Sequence, residues 1–210
     1  MKTHLSTLFV LLLATLANAA EPRPLFDGKT FQGWEGDTQK TWKIEDGCIV
    51  GGSLESTVPR NEFLCTKATY GNFELKVRFK LVGDRAKANA GIQFRTKRIP
   101  NHHEVSGYQA DVGQAYWGAL YDESRRKKVL AQPDPKQLAK IVKYDDWNDY
   151  TIRCEGAHIR LWLNGTLTVD YTEADHKIER SGVIALQIHG GARARAYYKD
   201  IRIVELPSDK

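Results

Sequence analysis

Short runs of alternating apolar and polar residues make up most of the chain. In YGNFELKVRFKL every second residue is apolar, namely Phe73, Leu75, Val77 and Phe79, and the residues between them are charged. Similar runs recur in TWKIEDGCIV, NEFLCTKATY, DYTIRCEGAHIRLWLNGTLTVDY, SGVIALQIH and AYYKDIRIVEL. Because successive side chains of a strand point to opposite faces, this pattern predicts β-strands that are each buried on one face.

Turn residues separate these runs at short intervals. Asp46-Gly47 and Asn164-Gly165 each lie between two alternating runs, and such pairs favour tight hairpins. The segment DPKQLAKIV has a helical pattern that is long enough for only a turn or two. About ten to twelve short strands in one unit predict an all-β fold, an antiparallel β-sandwich of the jelly-roll type. Residues 97–141 are less regular, and we expect binding loops there.

The first twenty residues have a different character. They combine a basic residue at Lys2, an apolar run over residues 8–13 and the small-residue site Ala17-Asn18-Ala19. This arrangement predicts a signal peptide over residues 1–20, followed by one domain over residues 21–210 that is secreted or periplasmic. No run approaches the roughly 20 apolar residues of a membrane helix, so we expect no transmembrane segment.

Charge and cysteine content narrow the choice of function. The net charge is +5, and basic residues are scattered among acidic ones except in ESRRKK (123–128), which we interpret as a solvated loop or anion-contacting rim. This disfavours a nucleic-acid partner. Cys48, Cys65 and Cys154 lie in apolar runs without zinc-ligand spacing. We expect them to be core residues, with a Cys48–Cys65 disulfide as the less favoured alternative.

Three runs carry amides and ionisable residues where a merely soluble strand would carry interchangeable charges. In GIQFRT, GYQADVG and VIALQIHGG these residues recur at every second position, so they share one face if the strands are neighbours. They are Gln93, Arg95, Gln109, Asp111, Gln187 and His189. Amides, carboxylates and guanidinium groups suit sugar hydroxyls. Asp111 and His189 are also candidates for proton transfer near neutral pH.

Aromatic residues close to these runs would complete a carbohydrate site. Tyr116, Trp117 and Tyr121 in YWGALYDE can cover the apolar face of a pyranose. The candidate substrate-binding residues are Gln93, Gln109, Tyr108, Trp117, Tyr121 and Gln187. His102-His103 with Glu104 could ligate a metal, but adjacent residues of an extended run point apart, so we favour a loop role.

Nine segments of the chain, taken in order, resemble the 3-keto-disaccharide hydrolase domain family. They are LFDGKTFQGW, WKIEDGCIVGG, FLCTKATYGNFELKVRFKL, AGIQFRT, GYQADVG, GALYDE, DWNDYTIRCEGAHIRLWLNG, GVIALQIHGG and YYKDIRIVEL. The resemblance covers essentially all of the chain after the predicted signal peptide. It implies a concanavalin-like lectin/glucanase sandwich, in agreement with the strand pattern, and cleavage of glycosides whose sugar carries a ketone at carbon 3.

A 3-ketone acidifies the proton on carbon 2, so a base can remove it and the glycosidic oxygen can leave carbon 1 by elimination before water adds. On this resemblance His189 or Asp111 is the base, and Arg95 and Gln109 stabilise enolate or hydroxyl oxygens. Glu123 or Tyr121 would protonate the leaving oxygen. A divalent ion held by Asp111 and Glu123 is compatible with the scheme, and the sequence neither requires nor excludes it.

Two other functions stay open. One is a non-catalytic, lectin-like carbohydrate-binding module on the same sandwich, and the other is a surface scaffold without a small-molecule site, because a fold alone does not decide function. The leaving group and the oligomeric state are also open.

Overall fold

Two antiparallel β-sheets packed face to face form the protein, in a computed structural model that describes residues 21–208. The predicted signal peptide lies outside the described residues. Within residues 21–208, no helix has the length and apolar character needed to cross a membrane. The two-layer arrangement confirms the all-β sandwich expected from the alternating runs.

The described chain contains more strands than the pattern predicts. The additional ones are the two-residue strands at the start and the short strands within residues 97–141, a region that is more regular than expected. In chain order the elements are β1 (Arg23–Pro24), β2 (Trp34–Glu35), β3 (Trp42–Glu45), β4 (Cys48–Ser53), β5 (Glu62–Thr66), β6 (Phe73–Gly83), β7 (Asn89–Arg98), β8 (Val105–Gly113), β9 (Leu120–Glu123), β10 (Lys128–Ala131), α1 (Pro135–Ile141), β11 (Asn148–Glu155), β12 (His158–Leu163), β13 (Thr166–Thr172), β14 (Val183–Ile188) and β15 (Ala194–Glu205).

Strands that are distant in the chain lie side by side in both sheets. The first sheet has the order β13-β12-β11-β6-β15-β4-β3, with β1 paired to β15, and the second has the order β10-β9-β8-β7-β14-β5-β2. Neighbours such as β6 and β15, or β7 and β14, are joined by crossovers, as in a jelly roll. The pairing of β14 with β7 beside β8 gathers the three polar runs in the second sheet.

The apolar faces of the two sheets form one core between them. Phe73, Leu75, Val77 and Phe79 are all buried, as the alternation in β6 predicts. Phe79 stacks on Tyr150 with 5.2 Å between ring centroids. Burial of these side chains supplies most of the stabilisation of a sandwich of this size.

Local features agree with the predicted turns and cysteines. Asp46-Gly47 and Asn164-Gly165 have positive φ at both residues, which is the geometry of type I′ hairpins. The three cysteines are buried and free, so the alternative of a Cys48–Cys65 disulfide is wrong.

Candidate functional site

The three polar runs form adjacent strands, β8, β7 and β14, in the second sheet. Asp111 pairs with Gly91, which in turn pairs with Gln187. In the next row Gln109 pairs with Gln93 on one side and Tyr121 on the other. Because residues directly opposite each other share a face of a sheet, these side chains lie together on the outer face of the second sheet.

A cleft of about 230 Å³ opens on this outer face. We call it the polar cleft, and its lining residues are Asn89, Gln109, Asp111, Gln114, Tyr116, Tyr121, Glu123 and His189. Its volume is below the roughly 300–1,000 Å³ typical of pockets for drug-sized ligands. The polar cleft therefore suits a single sugar ring.

Asp111 is a buried carboxyl group at the floor of the polar cleft, with 4% of its surface exposed. Asn89 Nδ2 and the backbone N of Val112 each donate a hydrogen bond to Oδ1 at 2.9 Å. Loss of water on burial nevertheless raises the pKa of Asp111 from 3.8 to about 7, and the negative charge of Glu123 adds to this rise. Asp111 can therefore hold a proton close to neutral pH.

Glu123 comes from β9, two residues after Tyr121, and is partly buried. Gln187 Nε2 donates a hydrogen bond to Glu123 Oε2 at 3.2 Å, across β7 and β8. Burial raises the pKa of the Glu123 carboxyl, and the charge of Glu104 raises it further. The pKa of the Tyr121 hydroxyl is also raised, first by burial and then by the charges of the two cleft carboxylates. Glu123 is therefore a candidate proton donor.

His189 follows the end of β14, and its backbone N donates a hydrogen bond to the backbone oxygen of Asn89 at 3.0 Å. The ring Nδ1 lies 2.7 Å from the backbone oxygen of Gly190. Because a carbonyl oxygen can only accept, Nδ1 carries the hydrogen, and Nε2 of the neutral ring holds the lone pair. His189 thus presents one nitrogen that can accept a proton.

Gly91 makes room for the amide of Gln109. A Cβ on Gly91 would lie 2.5 Å from Gln109 Cδ. The Gln109 side chain therefore lies across β7 in the space that a side chain at position 91 would fill. Gln93 Nε2 donates to Gln109 Oε1. Gln93 and Gln187 are fully buried and are not among the residues that line the cleft, so their expected role in binding substrate is wrong. They lie beside Gln109 and Glu123 on the same side of the sheet and hold these two side chains by hydrogen bonds.

Arg95 does not lie in the polar cleft, so its expected place on the same face as Gln93 is wrong. A bulge between Phe94 and Lys97, with φ +46° at Arg95, breaks the alternation of β7. The guanidinium group donates to the Gly71 oxygen at 2.9 Å and to the Gly156 oxygen at 2.7 Å. Arg95 therefore joins the second sheet to turns of the first sheet.

Tyr108 and Trp117, expected to bind substrate, belong to the core instead. Tyr108 stacks on Phe94 at 5.7 Å between centroids, and Trp117 packs against Phe79 at 6.1 Å. Both are almost completely buried, so neither can cover a sugar ring. Tyr116, by contrast, lines the polar cleft and has 38% of its surface exposed.

Asn89 and Gln114 are lining residues that the sequence analysis did not single out. Asn89 continues the spacing of Gly91 and Gln93 along β7, so an extension of the alternation by one step could have found it. Gln114 follows the end of β8 and has no comparable signal.

The other polar clusters of the sequence have structural roles. Arg125 and Arg126 of ESRRKK form ion pairs with the fully buried Asp122, so the expected solvated loop or anion rim is wrong for these two residues. His102, His103 and Glu104 lie in the connection between β7 and β8, as expected. Among residues 21–208, no group of three or more His, Cys, Asp or Glu side chains is arranged to hold a metal ion.

Several solved structures share this fold. A proposed glycosyl hydrolase of Parabacteroides distasonis is 21% identical, with a TM-score of 0.65 over 87% of this chain and 93% of that one. A carbohydrate-binding module of Bacillus subtilis is 17% identical, with a TM-score of 0.61 over 82% and 96%. A Bacillus subtilis protein of unknown function with a galectin-like fold is 11% identical, with a TM-score of 0.67 over 91% and 98%. At these identities the likeness establishes the lectin-like sandwich and nothing more specific.

No curated protein sequence matches the chain. A family model does match, over residues 21–204, and its description is a 3-keto-alpha-glucoside-1,2-lyase-like domain. This range contains both sheets, apart from the last residue of β15, and every residue of the polar cleft. The chain therefore belongs to the 3-keto-disaccharide hydrolase family of 3-keto-alpha-glucoside-1,2-lyase-like domains.

Proposed function

We propose that this protein is an exported enzyme that cleaves glycosides whose sugar carries a ketone at carbon 3. One observation carries the proposal: an imidazole with one accepting nitrogen and two carboxyl groups of raised pKa meet in a cleft for one sugar ring. Family membership supplies the substrate class, and residues 1–20 supply the expectation of export.

In the proposed reaction His189 Nε2 takes the proton from carbon 2 of the 3-keto sugar. The electron pair moves toward the ketone oxygen, where protonated Asp111 donates a hydrogen bond to the developing enolate, as a buried carboxylic acid can. Reformation of the ketone then expels the glycosidic oxygen from carbon 1, and Glu123 protonates this oxygen as it leaves. Addition of water across the resulting double bond gives the free 3-keto sugar.

Three neighbouring side chains position the sugar in this scheme. Asn89 fixes the orientation of the Asp111 carboxyl, and Gln109 presents its amide above Gly91. Exposed Tyr116 can cover the apolar face of the ring. No oxocarbenium ion is needed, so the reaction does not depend on the paired carboxylates of ordinary glycosidases.

Product analysis in D₂O tests the proposal. The purified protein is incubated with a 3-keto-disaccharide and, separately, with its unoxidised parent, beside an enzyme-free control. Cleavage of the keto form alone, with enzyme-dependent deuterium at carbon 2 of the product, is expected. Cleavage without deuterium would contradict removal of the carbon 2 proton. Binding of either sugar without turnover would favour the lectin-like module.

A further inference from the structure

A second, larger depression lies close to the polar cleft. It is lined by residues 99–103, in the connection between β7 and β8, together with Arg60 and Arg98. Its volume is about 690 Å³, three times that of the polar cleft, and it is open to solvent. We call it the loop depression.

A hydrogen-bonded link of three residues, which we call the wall, connects the surroundings of the two spaces. Asn61 Nδ2 donates to Glu104 Oε1 at 3.1 Å, and Asn61 Oδ1 accepts from the backbone N of Gly190 at 3.0 Å. A Cβ on Gly190 would lie 2.5 Å from Arg60 Cα, so the two sides of the wall are in direct contact. The wall therefore bonds the β7–β8 connection to the turn that carries the candidate base.

Each wall residue is the chain neighbour of a residue that faces one of the spaces. Asn61 follows Arg60 and Glu104 follows His103, both in the loop depression, while Gly190 follows His189 in the polar cleft. The charge of Glu104 also reaches Glu123 and raises its pKa. The loop depression thus lies close to His189, which takes the carbon 2 proton in the proposed reaction, and to Glu123, which protonates the leaving oxygen.

The loop depression offers a flat ring face and hydrogen-bond donors. The rings of His102 and His103 stack with 4.3 Å between centroids and 28° between planes, and His102 is exposed. The backbone N of Glu104 donates to His102 Nδ1 at 3.1 Å, so Nε2 carries the hydrogen of the neutral ring. Arg60 Nε donates a hydrogen bond to Glu62 Oε1 at 2.8 Å. The two terminal nitrogens of Arg60 form no hydrogen bond with any residue in 21–208.

We propose that the loop depression is the subsite for the leaving group of the glycoside, and that it selects a ring that has an apolar face and bears hydroxyl or ether oxygens. The ring stacks on His102 and an oxygen accepts from the terminal nitrogens of Arg60. A sugar and a phenol both have this chemistry. The proposal rests on the proposed function, since it places the leaving group where a glycoside held in the polar cleft would extend.

The test compares three 3-keto-glucosides, with methyl, phenyl and glucosyl leaving groups, in wild type, His102→Ala and Arg60→Gln. The expected kcat/KM falls about three- to tenfold for the ring-bearing substrates, the range of one stacking contact, and is unchanged for the methyl glycoside. A loss with the phenyl substrate alone identifies a phenolic leaving group, and a loss with the glucosyl substrate identifies a sugar. Equal losses for all three substrates would overturn the subsite.

Two controls and one binding measurement complete the experiment. His176→Ala removes another exposed histidine, and Arg23→Gln breaks an exposed pair with Glu205, at 2.8 Å, in the first sheet. Both variants should leave the three rates unchanged. Titration with free phenol and free glucose, followed by the ring NMR signals of His102, needs no turnover. A shift of these signals supports the subsite even where no glycoside is cleaved. Unshifted signals together with intact cleavage overturn it while the proposed function stands.

Discussion

Tyr150 donates a hydrogen bond through its hydroxyl to the backbone oxygen of Asp111, at 2.8 Å. Tyr150 belongs to β11 in the first sheet and Asp111 to β8 in the second, so this bond crosses the interior of the sandwich. Tyr198 of β15 makes the equivalent bond to the Gln187 oxygen at 2.6 Å. The strands of the polar cleft are therefore held from beneath by polar groups of the opposite sheet.

Replacing Tyr150 with Phe should destabilise the protein and weaken catalysis together. The variant keeps the ring packing against Phe79 but leaves the Asp111 oxygen with a weaker set of donors, at a cost of about 1–3 kcal/mol. Urea unfolding measures the stability, and kcat/KM on a 3-keto-glycoside measures the activity. Tyr197→Phe is the control, because Tyr197 lies on the outer face of the first sheet. An unchanged midpoint in Tyr150→Phe would contradict the role of the cross-sheet bond.

Asp111→Asn should lower activity and yet raise stability in alkaline solution. The pKa of Asp111 is about 7 in the folded protein, against 3.8 for an ordinary Asp, so unfolding releases a proton between these values. The contribution of Asp111 to the stability of the wild type is therefore largest below pH 4. It decreases as the pH rises from 4 to about 7. The full effect is at most about 4 kcal/mol.

The measurement is the difference in unfolding free energy between Asp111→Asn and wild type at pH 4, 6 and 8. This difference isolates Asp111 from other titrating groups. We expect it to move in favour of the variant as the pH rises and to level off above about pH 7. A difference that is constant with pH would mean that the carboxyl is ionised in the folded protein throughout.

The alternation of residues was enough to predict the sandwich and the shared face of Gln109, Asp111 and His189, because side-chain direction along a regular strand follows from period alone. Arg95 shows where this reasoning ends. A bulge after Phe94 changes the face on which the next residue lies, and the alternation of apolar and polar residues does not show where a bulge occurs. Tyr108 and Trp117 show a second limit, since an aromatic ring suits a core as well as a sugar site and only the tertiary fold decides its burial.

Glu104→Gln should narrow the pH range of activity on its alkaline side. In the proposed mechanism Glu123 acts in its protonated form, and the charge of Glu104 raises the pKa of Glu123. Removing that charge lowers this pKa, so kcat/KM should begin to fall at a lower pH than in wild type. The hydrogen bond from Asn61 to Oε1 is retained by the amide oxygen. Asp149→Asn, on the opposite sheet, is the control, and an alkaline limb that moves to higher pH in Glu104→Gln would refute the assignment of Glu123.

Gly91→Ala should impair catalysis through the side chain of Gln109. Gly91 does not have positive φ, so the backbone itself accepts alanine, but the new methyl group would lie 2.5 Å from Gln109 Cδ. Because Gln109 is held in a buried row with Gln93, it must leave its place above the strand, and we expect a loss of about 1–3 kcal/mol in stability with at least a tenfold fall in kcat/KM. Gly71→Ala is the matched control, since a methyl group there would meet no atom closer than 3.8 Å. Full activity in Gly91→Ala, at wild-type stability, would show that the position of the Gln109 amide is not needed for the reaction.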